Sequence, residues 1–290
     1  MASAIRLGDA NSGFQAGVIN GPVNAAFHHH AAPEPLESPP NPSALIPFSR
    51  DPDFIERGPI LDQLRQKCAT PGSRTALVGL GGVGKSQLAI EWAHRTRDRS
   101  PETWVFWVHA SNAARFEQSF RDMADCAKIA GRRNVQATIF KLVHDWLRNE
   151  RHGKWVLILD NVDDAGFLVG SQSTGEEGHT QGLDDGSARP LREYIPHCPH
   201  GSVLITTRSR SAALKLVEEG DSILVEPMDE VHATALLKKK LENVEEKLGI
   251  KFPDEDVADL AATLEFMPLA IVQAAAYISE RAPNSSSRLW

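Results

Sequence analysis

The sequence predicts an α/β fold: a parallel sheet of about five strands in a three-layer α/β/α arrangement, followed by a small helical subdomain. Three observations lead there. Five short apolar runs alternate with amphipathic stretches, the pattern of strands covered on both faces by helices. The first run opens directly into a glycine-rich segment and then a helical stretch. After the fifth run the pattern becomes purely helical.

The five runs are Thr75–Val78, Thr103–His109, Lys154–Leu159, Ser202–Thr206 and Ser222–Glu226. A helix over Gln87–Arg97 follows the first. The next begins at Ser111 or Asn112, both good N-caps, and sets Phe116, Phe120, Met123 and Ala127 along one face. Another carries Ile139, Phe140, Val143, Trp146 and Leu147. Beyond the last run, Leu236, Leu237, Leu241, Val244 and Leu248 mark one helix, and Val257, Leu260, Ala261 and Leu264 a second. Leu269, Val272, Gln273, Ala276 and Tyr277 mark a third. Trp104, Phe106 and Trp107 read as core of a strand rather than a stacking platform. Lys238, Lys239 and Lys240 share a helix with Glu242, Glu245 and Glu246 and read as its solvated face.

Composition narrows the function. The 290 residues carry 31 Lys+Arg against 38 Asp+Glu, a formal charge of −7, which argues against a nucleic-acid binder that works by neutralising phosphates. The longest nearly apolar stretch, Phe266 to Ile278, is too short to span a bilayer, so no membrane partner is expected. Asp9 stands where a signal peptide would have its apolar core. The three cysteines, Cys68, Cys126 and Cys198, form neither a metal pattern nor a disulfide framework. Together these point to a reducing, cytoplasmic location.

The ends of the chain read differently. Residues 1–47 form a Gly/Asn/Pro-rich segment expected to lack fixed structure; Pro22 to Pro47 holds seven of the chain's 18 prolines. Within it, residues 11–27 are uncharged, with β-branched and aromatic residues on either side of Asn20-Gly21. His28-His29-His30 reads as a polar tract rather than a metal site. Residues 170–189, built around GSQSTGEEGHTQGLDDGSA, are expected to be a mobile loop, and 283–290 a tail. That leaves 48–228 as the α/β domain and 229–282 as the helical subdomain.

Three motifs carry chemistry. Gly79-Leu80-Gly81-Gly82-Val83-Gly84-Lys85-Ser86 matches GxxxxGK[ST], between an apolar run and a helix as that motif requires. Glycines let successive backbone N–H groups turn inward around a phosphate, and the helix N-terminus adds partial positive charge. Lys85 would reach the β- and γ-phosphates, and Ser86 would put its hydroxyl on Mg²⁺. The run Trp155-Val-Leu-Ile-Leu-Asp160 ends in an acid, so Asp160 is the second Mg²⁺ candidate. The run Ser202-Val-Leu-Ile-Thr206 leads into Thr207-Arg208, putting a guanidinium that suits a terminal phosphate at the same sheet edge. Asp160 and Arg208 are the candidate catalytic residues.

In this order the motifs resemble the NB-ARC nucleotide-binding domains of the STAND class of P-loop NTPases, and in texture those of fungal NLR-like proteins. The resemblance runs from about Pro52 to Ala282. It rests on Phe54-Ile55-Glu56-Arg57-Gly58, the phosphate loop, Trp104-Val-Phe-Trp-Val-His109, the Asp160 and Arg208 strand ends, and Phe266-Met267-Pro268-Leu269-Ala270, similar to the family's GLPL-type motif. It implies a P-loop NTPase sheet of order 5-1-4-3-2, numbering the five runs along the chain. It also implies Arg208 as a sensor of the γ-phosphate and Phe54, Ile55 and Pro268 around adenine. The cofactor-binding set is then Phe54, Ile55, Gly79, Gly81, Gly82, Val83, Gly84, Lys85, Ser86, Gln87, Arg208 and Pro268, with ADP or ATP and Mg²⁺ as cofactors.

By this resemblance the chain is a signalling switch of the innate-immunity or heterokaryon-incompatibility type: ADP holds it closed, and exchange for ATP opens it to self-association. The segment near residues 8–30 is similar to short motifs that pass a signal to a downstream effector by amyloid templating. The family often has a second acid after the Asp160 position. Here that residue is Asn161, which is no base, so at most slow ATP hydrolysis is expected, with Asp163 or Asp164 as substitutes. The family's winged-helix subdomain and its Met-His-Asp motif do not follow Pro268, so the expectation is a nucleotide domain cut short. Two other readings stay open: a non-enzymatic interaction protein recruiting a partner through its N-terminal segment, and an ordinary P-loop ATPase that turns over.

Overall fold

The computed structural model describes residues 40–134, 138–170 and 189–281. The uncharged N-terminal segment, His28–His30, the centre of the 170–189 loop and the 283–290 tail lie outside the described residues. In chain order the elements are β1 (Ala44–Leu45), α1 (Gly58–Cys68), β2 (Arg74–Val78), α2 (Lys85–Arg99), β3 (Trp104–His109), α3 (Ala113–Cys126) and α4 (Ile139–Arg148). Then come β4 (Trp155–Asp160), α5 (Gly166–Val169), β5 (Gly201–Thr207), α6 (Arg210–Leu214) and β6 (Ser222–Leu224), and last α7 (Glu230–Leu248), α8 (Asp254–Thr263) and α9 (Pro268–Arg281).

The sheet is six-stranded and parallel, in the order β1-β3-β4-β5-β2-β6. Without β1 this is the expected 5-1-4-3-2 order. The added edge strand pairs Ala44 with Val105 and Leu45 with Phe106, inside the proline-rich stretch read as a linker. Proline holds that stretch extended, and an extended chain beside the edge of β3 can join the ladder wherever it keeps its N–H groups.

Side chains alternate along each central strand between two cores, as the pleat demands. Phe106, Val108, Leu157, Leu159, Val203 and Ile205 face the layer of α3, α4 and α6. Val105, Trp107, Val156, Ile158, Leu204 and Leu77 face α1 and α2. Trp104, Phe106 and Trp107 are buried, as expected for core strand. Asn112 caps α3, its side chain accepting from Arg115 N at 2.9 Å. α2 starts two residues before the expected Gln87, because Lys85 and Ser86 of the glycine-rich motif already form its first turn. β6 stops at Leu224, yet Val225 N still donates to Val78 O at 2.7 Å.

Helices α7, α8 and α9 share a third core of Leu236, Leu237, Leu241, Val244, Val257, Ala261, Ile271 and Ala275. The expected third helix forms as α9, but the residues that mark it in the sequence are not the ones it buries. Its buried residues are Pro268, Ile271 and Ala275, whereas Leu269, Val272, Gln273, Ala276 and Tyr277 are all exposed. The segment is apolar nearly all round, so periodicity alone does not select a face. The lysines of α7 also depart from expectation: Lys238 pairs with Asp254 at 2.9 Å, Lys239 donates to Pro52 O at 2.9 Å, and Lys240 pairs with Asp53 at 2.8 Å. They tie the helices to α8 and to residues 51–53 rather than forming a free solvated face. Among the described residues no helix is long and apolar enough to cross a membrane.

Candidate functional site

The site grows from the C-terminal ends of β2, β4 and β5. β2 runs straight into Gly79, whose N–H donates to Thr207 O at 3.3 Å. A Cβ on Gly79 would stand 2.1 Å from Val225 O, so only glycine lets the loop leave the sheet this close to β6. Gly82 and Gly84 hold φ of 85° and 92°, the left-handed region that carries the loop round into α2. The loop is fastened from outside as well. Leu269 N donates to Gly82 O at 3.1 Å. Arg57 donates to Val83 O at 3.1 Å and to Glu226 O at 2.8 Å, bridging the loop to the chain beyond β6. Burial lowers the pKa of Arg57, with Asp229 and Glu226 opposing.

Lys85, at the first turn of α2, donates through Nζ to Gly79 O at 2.8 Å and Leu80 O at 2.7 Å. Burial lowers its pKa; Asp163 and Asp160 pull it back up, and the Arg208 charge adds to the lowering. Asp160 closes β4. Its Oδ1 accepts from Ser86 Oγ at 2.8 Å and from Thr206 Oγ1 at 2.6 Å, joining α2, β4 and β5 at one carboxylate. A hydroxyl and a carboxylate side by side are hard oxygen donors of the kind Mg²⁺ takes, and one carboxylate with a nucleotide's phosphates is a common Mg²⁺ set. The two residues therefore fit that ion. Among the described residues no group of three or more His, Cys, Asp or Glu is arranged to hold a metal.

The two candidate replacements for the missing acid are otherwise engaged. Asn161 itself has φ 65° and donates its N–H to Thr206 Oγ1 at 2.9 Å. Asn tolerates that left-handed turn better than most residues. Asp163 accepts from Arg208 N at 2.7 Å and from Arg208 Nε at 2.6 Å. Asp164 accepts from Gly166 N at 2.7 Å, a local turn at the start of α5. Arg208 is thus held by Asp163, its side chain 61% exposed at the rim of the site.

These groups surround a cavity of about 590 Å³, within the range of small-molecule pockets. Of the residues named from sequence, Phe54, Ile55, Gly81, Gly82, Val83, Gly84, Lys85, Ser86, Gln87, Arg208 and Pro268 line it. Gly79 and Asp160 stand one contact behind, through Lys85 and Ser86. The glycine cradle is open: a Cβ on Gly81 would meet only the Arg208 side chain, at 3.5 Å and beyond. Pro268 opens α9 beside the loop, its Cγ 3.9 Å from where a Gly84 Cβ would lie. Just before it, Glu265 and Phe266 both take left-handed φ, 53° and 54°, and Phe266 stands where the GLPL-type motif has glycine.

Sequence reasoning gave no place at the site to Arg57, Met228, Leu236, Lys240, Leu269 or Val272, which also line or brace the cavity. Lys240 pairs with Asp53 187 residues away, and burial, which would lower its pKa, is outweighed by Asp53 and Asp51, which raise it. Arg57 lay inside the quoted Phe54–Gly58 run, so a signal existed there. Nothing in the sequence points to Lys240.

Comparison with known proteins bears on this arrangement. No family model matches the sequence. The chain is 35% identical over 251 residues to a nucleotide-binding leucine-rich repeat (NLR)-like protein of Hyaloscypha variabilis, covering 84% of this chain and 24% of that protein. It is 25% identical over 242 residues to the regulatory protein AfsR of Streptomyces griseus, covering 79% of this chain and 21% of that protein. The chain thus spans about a quarter or less of the length of either relative. Among solved structures, Cdc6p of Pyrobaculum aerophilum superposes with a TM-score of 0.52 at 14% identity, covering 80% of this chain and 63% of that one. A Walker-type ATPase of Pyrococcus abyssi gives 0.50 at 18%, covering 82% and 73%. The Aeropyrum pernix ORC1 protein, solved in complex with DNA, gives 0.51 at 20%, covering 80% and 63%. At such identities these structures bear on the fold alone. The sequence match makes this chain similar to part of an NLR-like protein, and its parallel sheet with the phosphate loop after β2 has the P-loop NTPase fold.

Proposed function

We propose that the chain is the nucleotide-binding module of a cytoplasmic NLR-like signalling protein, taking ADP or ATP with Mg²⁺ and using the exchange between them to control self-association. The observation that carries this reading is that one cavity is walled by both parts of the molecule. The phosphate loop and the ends of β4 and β5 form one side. Leu236 of α7, Pro268, Leu269 and Val272 of α9, and Phe54 and Ile55 form the other. A ligand that fills it touches the sheet and the helices at once, so two ligands differing by one phosphate bind two arrangements of those parts unequally. Unequal affinity is what a switch requires.

The chemistry of the residues supports binding more than turnover. Ser86 and Asp160 would hold Mg²⁺, which neutralises phosphate charge when bound. The loop amides and Lys85 would hold the β-phosphate, with Lys85 leaving the carbonyls of Gly79 and Leu80. Pro268, Phe54 and Ile55 would flank the base. Arg208 would have to leave Asp163 to meet a γ-phosphate, which makes that ion pair the element a third phosphate competes with. Asn161 offers no base, and Asp163 and Asp164 are held by Arg208 and Gly166. Hydrolysis is expected to be slow.

The test has two stages. Denaturing the purified protein and separating what it releases identifies any resident nucleotide. Calorimetry on nucleotide-free protein then compares Lys85→Ala and Arg208→Ala. Lys85→Ala is expected to weaken both nucleotides by about 10- to 100-fold, the worth of a charged hydrogen bond. Arg208→Ala is expected to weaken ATP more than ADP. Equal losses for the two nucleotides would remove the sensing role, and steady-state turnover above roughly 1 per second would favour an ordinary ATPase.

A further inference from the structure

The opposite end of the sheet holds a second hollow, about 450 Å³, with a different chemistry. Arg74 opens β2, so this end lies roughly 16 Å from Gly79, five residues at about 3.3 Å each. Four cations line it: Arg74, Arg148 at the end of α4, Arg192, and Lys215 just after α6. They come from four separate segments, so only the tertiary fold assembles them. One carboxylate, Glu193, lines the same hollow, leaving an excess of three positive charges. The chain as a whole is acidic by seven.

These cations are unspent. Among the described residues none of the four makes an ion pair with a carboxylate. Arg74 makes one hydrogen bond, Nη2 to Ile195 O at 2.7 Å, while its Nε is buried with no protein partner. Nδ1 of the lining His144 is likewise buried and unpartnered. Burial lowers the Arg74 pKa and the neighbouring Arg192 charge lowers it further, while Cys198 opposes them. The four cations face one carboxylate, Glu193, over a floor of buried Ile195, Pro196 and Leu216. An anion in the hollow would relieve their mutual repulsion, most of all for Arg74, the least exposed of the four.

We propose that this hollow is a second anion site, distinct from the nucleotide cavity, for a compact ligand carrying two or more phosphate groups. Three guanidinium forks match phosphate oxygens in pairs, which single ammonium groups do not. The volume suits a small molecule or a lipid headgroup rather than a protein segment. Through β2, whose two ends carry Arg74 and the phosphate loop, the ligand would brace the strand on which the nucleotide sits.

The probe is inorganic tripolyphosphate, titrated by calorimetry into the full chain saturated with ADP and Mg²⁺, so that the first cavity is taken. A parallel titration uses Lys85→Ala, and a third uses the double variant Arg148→Glu with Arg192→Glu. Both arginines are exposed, so their reversal spares the core, and circular dichroism checks the fold. Binding is expected to persist in Lys85→Ala and to fall by at least about tenfold in the double variant. Co-sedimentation with vesicles containing or lacking a bisphosphorylated phosphoinositide separates the sources. Uptake on the phosphorylated vesicles alone assigns a headgroup, and soluble binding without uptake assigns a free phosphate compound. Absence of tripolyphosphate binding, binding unchanged by the double reversal, or equal binding of sulfate would overturn the proposal. Because the Lys85→Ala arm is separate, failure here leaves the nucleotide reading standing, and the converse.

Discussion

The central strands and helix α9 are both almost wholly apolar, yet one was readable from sequence and the other was not. β3 and β4 are covered on both faces, so every residue from Trp104 to Val108 and from Trp155 to Leu159 is buried whichever way it points. A doubly covered strand needs no choice of face. α9 is covered on one side only. Its sequence offers two stripes, Leu269-Val272-Gln273-Ala276-Tyr277 and Pro268-Ile271-Ala275, and the second is the one that packs on α7. Apolar periodicity places a helix, but where the whole circumference is apolar only the neighbours decide its rotation.

The largest expected effect tests the sheet side of this contrast. Phe106→Ala removes a side chain with no exposed surface from the core beneath α3 and α4 and should cost about 3–5 kcal/mol in denaturant unfolding. On α9, Ile271→Ala should cost about 2–4 kcal/mol, since Ile271 is fully buried. Glu91 sharpens the comparison from the polar side. This carboxylate in α2 is 3% exposed and held by Arg50 and Arg95. Burial would raise its pKa, but hydrogen bonds and charge from the two arginines outweigh burial and lower it. A carboxyl lowered in the folded state stabilises above its unfolded value of about 4.3, and that stabilisation is lost as pH falls through the lower folded value. Glu91→Gln should therefore cost about 1–3 kcal/mol near neutrality, less than a fully buried pair because Arg50 is half exposed, with the gap to wild type narrowing in acid. A gap that stays constant down to about pH 3 would show that Glu91 stabilises by shape rather than charge. The smallest effect is expected for Tyr277→Ala, below about 1 kcal/mol, because the ring is 56% exposed and its notable contact is Arg281, 4.7 Å from its centroid. If Tyr277→Ala cost more than Ile271→Ala, the exposed stripe would be the packed one and the placement of α9 would be wrong.

Much of the site was legible for the same reason as the strands. A phosphate loop is local: its glycines, Lys85 and Ser86 are consecutive, and the loop's conformation follows from the chain itself. Asp160 and Arg208 were legible because parallel strands present their C-terminal ends at one edge, and Ser86 and Thr206 converge on the Asp160 carboxylate there. The states of the polar groups were not legible. That Asp163 holds Arg208, and that Asp164 turns back onto Gly166, depends on where the chain goes after β4. The lysines of α7 show the same limit: a run of like charges on a helix reads as solvated until residues 51–53 and Asp254 come to lie against it.

The sequence by itself determined the parallel sheet and the phosphate loop, because runs of apolar residues and consecutive glycines act over a few residues; the strand order followed only from the family resemblance. Only the tertiary structure decided which face of α9 is buried, which carboxylate holds Arg208, and that Arg74, Arg148, Arg192 and Lys215 meet in one hollow. Those outcomes depend on contacts between segments far apart in the chain, and spacing along the sequence carries no information about which distant side chains share a boundary with water.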